Sequence, residues 1–110
     1  MITEKRINAS IDISTSGDNT IIAAPAGTSE YLAIDHINFV PNSAITIILK
    51  SGSTSLSGAY SITANQGFVL ENSYSDPDGL ITCAKGEAFI INLSGAVQVS
   101  GFIKYRIINR

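Results

Sequence analysis

Apolar residues recur along this chain at every second position, and no segment repeats them at helical spacing. Ile7, Ala9, Ile11 and Ile13 share one face of a predicted strand over residues 6–14, with Arg6, Asn8, Ser10, Asp12 and Ser14 on the other. A short strand over 20–24 ends at Pro25-Ala26-Gly27. In a longer one over 30–40 the apolar positions switch parity, from Leu32 and Ile34 to Ile37 and Phe39. Such a switch across Asp35-His36 predicts a β-bulge or a bend between sheets. Ile45, Ile47 and Leu49 mark a strand over 44–50, and weaker or shorter strands follow over 56–63, 68–71 and 80–83.

Residues 86–108 read as a closing hairpin, two strands folded about a short Ser94-Gly95 turn. In its second strand Val97, Val99, Gly101, Ile103, Tyr105 and Ile107 lie on one side, and Gln98, Ser100, Phe102, Lys104, Arg106 and Ile108 on the other. The polar side still carries Phe102 and Ile108, which marks part of it for a partner rather than water. Ile48, out of phase with Ile47 and Leu49, joins them as a candidate interface residue.

Isoleucine dominates the apolar set, and β-branched side chains favour strands. Gly, Asn, Ser and Asp cluster between the strands, as turns require. Eight or nine strands at this regular spacing predict an all-β fold, a sandwich or a barrel; strands that bury one face only favour an antiparallel β-sandwich, in one domain over residues 6–110 behind an N-terminal arm of residues 1–5. At 110 residues a core forms without disulfide staples. Charged residues make up 15%, below the usual ~25%, which fits a surface partly covered by other chains and equally a surface rich in Ser and Thr. A net charge of −2 gives no electrostatic footprint for nucleic acid. No apolar run reaches the ~20 residues of a membrane span, and the charged start lacks a signal-peptide core, so folding in a cytosol is expected. The single Cys83 cannot close an internal disulfide and reads as a small buried hydrophobe.

The chemistry-bearing residues do not converge. His36 is the only histidine, and its neighbour Asp35 should point to the opposite face of a regular strand, so no triad is expected. Asp76-Pro77-Asp78-Gly79 has carboxylates for calcium but lacks the spacing of a calcium loop, and Pro-Asp-Gly is a turn signal in itself. One Cys and one His do not make a zinc site. The Gly/Ser segment 52–58 lacks the Gly-Lys-Thr ending of a phosphate loop and reads as a flexible connector. Four tyrosines and no tryptophan provide little for sugar stacking, and Lys104-Tyr105-Arg106 reads as a core tyrosine between two outward charges. The expectation is no catalytic residue, no cofactor, no metal and no enzyme.

Three stretches together carry a resemblance: Ser-Gly-Asp-Asn-Thr-Ile-Ile-Ala-Ala-Pro-Ala-Gly, then Tyr-Leu-Ala-Ile-Asp-His-Ile-Asn-Phe-Val, then Lys-Gly-Glu-Ala-Phe-Ile-Ile-Asn-Leu-Ser-Gly-Ala-Val-Gln-Val-Ser-Gly-Phe-Ile-Lys-Tyr. From about Ile7 to Ile108 the chain resembles small β-sandwich virion proteins of tailed bacteriophages, most of all capsid decoration, or cement, proteins. The resemblance implies a jelly-roll-like sandwich that assembles as a homotrimer, sits on the capsid surface of the virion after synthesis in the host cytoplasm, and staples the major capsid protein of a phage. It carries over no functional residue. The alternative is a receptor- or glycan-binding module of a phage tail fibre, presenting the loops at 52–58 and 73–79.

Overall fold

A computed structural model describes residues 5–71 and 79–109. All ten of its regular elements are strands: β1 (Ile7–Ile13), β2 (Gly17–Ile22), β3 (Glu30–Pro41), β4 (Ile45–Ser51), β5 (Thr54–Ser55), β6 (Tyr60–Ile62), β7 (Phe68–Glu71), β8 (Ile81–Thr82), β9 (Phe89–Leu93) and β10 (Val99–Asn109). The first sheet runs β1-β10-β3-β7, with β8 also on β3; the second runs β2-β9-β4-β5, with β6 also on β4. Every pairing is antiparallel.

This order has a simple origin. The chain behaves as one long antiparallel ribbon in which β1 pairs β10, β2 pairs β9, β3 pairs β7 and β8, and β4 pairs β5 and β6. Rolled up, the ribbon puts alternate strands in opposite sheets, which is the jelly-roll arrangement of a β-sandwich. Phe39, Ile37 and Ile103 of the first sheet bury themselves against Phe89, Ile91, Ile47 and Leu49 of the second. An aromatic bridge extends this core: Phe39 stacks on Phe68 at 4.6 Å, and Tyr60 meets Phe68 edge-on at 5.0 Å.

The closing hairpin is not one. β9 belongs to the second sheet and β10 to the first. Their apolar faces, Phe89, Ile91 and Leu93 on one and Val99 and Ile103 on the other, are both fully buried in the same core. Opposed faces bury more apolar surface than opposed edges, so residues 94–98 carry the chain between layers instead of turning it within one.

The parity switch in β3 is a bulge within one sheet. Lys104 pairs His36 and Tyr105 pairs Ile34, leaving Asp35 as the extra residue. Ile34 and Ile37 consequently both face the core. Residues 52–58, expected to be a flexible connector, form a tight hairpin instead. Thr54 and Ser55 pair with Ser51 and Lys50, the Leu56 amide donates to the Leu49 carbonyl, and the Leu49 amide donates to Ser57 Oγ.

Candidate functional site

The outer side of the first sheet places the chain's exposed apolar groups together. On β10 the even positions face outward, and Phe102 pairs Asn38 of β3, which pairs Val69 of β7. Val40 stands two residues along β3 from Asn38. Phe102, Val40 and Val69 are 40%, 43% and 60% exposed, so three large apolar side chains surround one amide on an open sheet face. Phe102 is backed on one side by His36, stacked at 5.2 Å. Its other side opens onto a shallow groove of about 470 Å³ lined by Asn8, Ala9, Ser10 and Lys104.

His36 belongs to this surface. Its Nε2 lies 2.9 Å from Asn38 Nδ2, and its Nδ1 lies 4.0 Å from a Glu71 carboxylate oxygen. The bulge brings Asp35 to the same outer side, contrary to the simple alternation expected of neighbours on a strand. Asp35 nevertheless turns away from the imidazole to Arg106 and Arg6. The imidazole stacks on Phe102 between these polar neighbours.

Ile108 does not join Phe102. It faces the outer side of the sheet, but it is wholly buried and lies apart from the main core cluster. Its neighbours on that side, Ala33, Asp35 and Arg106, are buried as well, so the sheet is closed over at this end. Ile107, expected inside, is 37% exposed. Alternation assigns a residue to a face; it does not say whether that face is covered.

Ile48 is half-buried on the outer side of the second sheet, the opposite surface of the molecule from Phe102. Beside it Asp18 accepts hydrogen bonds from Asn92 Nδ2 at 2.7 Å and from Lys50 Nζ at 2.9 Å. The Asn92 amide, then the Lys50 ammonium, hold the Asp18 carboxyl below its ordinary range. On this face Ile48 is opposite Asn92, with the half-buried Ile90 two residues along the same strand.

Cys83 is buried behind β8. Burial pushes its thiol up to about 11, and the nearby Glu87 carboxylate adds to this against the Ser51 hydroxyl, which lowers it. Ser51 itself donates to Glu87 Oε1 at 2.6 Å and accepts from the Ala84 amide at 2.9 Å. Among the described residues no cluster of three His, Cys, Asp or Glu side chains could hold a metal ion, and no helix is long and apolar enough to cross a membrane. Asp76 and Asp78, the calcium candidates, lie outside the described residues, as does most of the 73–79 loop.

No protein-family model and no curated protein matches the sequence. A solved structure from work titled "Bacillus endospore appendages form a novel family of disulfide-linked pili" is similar in fold, with a TM-score of 0.51 and 13% identity over 96% of this chain and 86% of the other. At that identity the likeness supports the β-sandwich fold, and nothing finer.

Proposed function

We propose that this chain is a non-enzymatic structural subunit, a decoration protein of a phage head, that docks on the assembled shell through the outer face of its first sheet. The observation that carries this reading is the exposed Phe102–Val40–Val69 surface, built on ladder positions of three adjoining strands and therefore rigid. An apolar patch held open on a stiff sheet is the usual mark of a protein contact. A protein that binds the assembled shell better than free capsid protein stabilises the shell by mass action, and repetition over a lattice lets modest contacts add.

Pilus formation is the reading suggested by the fold likeness. In the solved relative the pili are described as disulfide-linked. Here the one cysteine is buried with a raised thiol, which favours a non-covalent contact.

The test is co-sedimentation with expanded, DNA-free heads of the parent phage, with shell melting as a second readout. The wild-type chain should pellet with the heads and raise their melting temperature, and Phe102→Ser should do neither. Failure of the folded wild-type chain to pellet would overturn the proposal.

A further inference from the structure

The first sheet ends at β1, and among the described residues this edge lacks most of the devices that keep an edge strand from pairing. Such devices include prolines, bulges, inward charges and lysines. Among the described residues β1 pairs with β10 alone, in unbroken register. It spans seven residues without proline, lysine or arginine. Of its core-facing side chains only Ile11 is fully buried; Ile7, Ala9 and Ile13 are half-covered. The core is thus left partly open along this edge.

The sequence of β1 is complementary to itself when reversed. Ser10 is its middle residue. Two copies laid antiparallel about Ser10 set Ile7 against Ile13, Ala9 against Ile11, and Asn8 against Asp12. The core side then matches apolar to apolar, and the outer side matches an amide donor to a carboxylate. A one-residue slip would turn each apolar side chain to the wrong face. A two-residue slip would leave two residues of each strand unpaired.

We infer that the chain dimerises through β1, a second copy adding its own β1 antiparallel so that the two first sheets become one. The inference stands independently of what the outer face docks on. The joined sheet carries two Phe102 grooves, one on each side of the two-fold axis. It also sets the partner's Asp12 in the row of Asn8 and Lys104. Lys104 forms no ion pair among the described residues. An edge contact of this kind is isologous and closes at two copies, whereas the resemblance implies three.

Light scattering after size exclusion should give the wild-type chain twice the 11.6 kDa of the monomer. Mild oxidation with copper phenanthroline then reads the register. Ser10→Cys should form a covalent dimer, because position 10 faces itself. Asn8→Cys and Asp12→Cys should each stay uncross-linked alone and cross-link when mixed. The native Cys83 is buried and does not compete. Ser10→Lys, which sets two ammonium groups face to face on an exposed position, should halve the mass without changing the circular dichroism spectrum. A monomeric or trimeric wild-type mass would overturn the inference, as would Asp12→Cys alone cross-linking as well as Ser10→Cys.

Discussion

Arg106 grips Asp35 with two hydrogen bonds, Nε to Oδ2 at 2.8 Å and Nη2 to Oδ1 at 2.9 Å, across the ladder where β3 bulges. Arg6 Nε, in the residue just before the first strand, adds a third at 3.2 Å. The carboxylate and Arg106 are both buried. Removing one member of a buried ion pair costs about 3–5 kcal/mol, because the other keeps its desolvation penalty. Asp35→Ala should therefore lower unfolding free energy by about that amount, measured by urea denaturation. Asp35→Ala combined with Arg106→Met should recover part of the loss; strict additivity would show that the pair does not act as a unit.

Two glycines are held by space rather than by turn chemistry alone. A Cβ on Gly101 would fall on the Asn38 carbonyl oxygen and 2.6 Å from Phe39 Cα. A Cβ on Gly79 would sit 2.8 Å from both Asp35 Oδ1 and the Ile34 carbonyl oxygen, at a φ of +74°. Gly101→Ala and Gly79→Ala should each destabilise by at least the 1–3 kcal/mol, roughly, of an overpacked site. Gly58→Ala, which meets nothing within 4 Å, should be near neutral and serves as the control. Thermal melting of the three variants checks the order.

Phe102 and Ile108, which alternation places on the same side of β10, should separate by experiment. Ile108→Ala removes a fully buried side chain and should cost about 2–5 kcal/mol. Phe102→Ser loses mainly the stacking on His36 and should cost about 1 kcal/mol. Equal losses in chemical denaturation would contradict the assignment of Phe102 to the surface and Ile108 to the interior.

Cys83 makes stability depend on alkaline pH in a predictable direction. Its thiol ionises near 9.0 when unfolded and near 11 when folded. Between these values the unfolded chain has already released the proton that the folded chain retains. Stability is therefore full below pH 9.0 and falls as pH rises towards 11. Cys83→Ala should remove that part of the slope, which the difference between the two denaturation profiles reads directly. The same burial should make the native thiol slow to react with a maleimide and fast once unfolded.

Much of the fold is legible in local pattern. The 30–40 and 68–71 stretches are strands within a residue of their predicted ends, and the parity switch at Asp35-His36 marks the bulge. What local pattern lacks is the identity of each strand's neighbour. Residues 86–108 look the same whether their two strands pair edge to edge or pack face to face, and the second outcome holds. The candidate site was half legible for a related reason. Phe102 is exposed as expected, but Ile108 is covered and Ile48 is on the far sheet. Val40 and Val69, the companions of Phe102, carry no sequence signal, because each sits alone in its own segment and meets Phe102 only through Asn38.

The place of β10 between β1 and β3 sets the order in which the molecule can be completed during synthesis. Of the strands described, β1 is made earliest, and it has no partner in its sheet until β10, the latest of them, has followed it. β3 likewise waits for its longest pairing. Until then Ile11, Ile37 and Phe39 have no finished core to enter, so the sandwich cannot close before β10 has emerged.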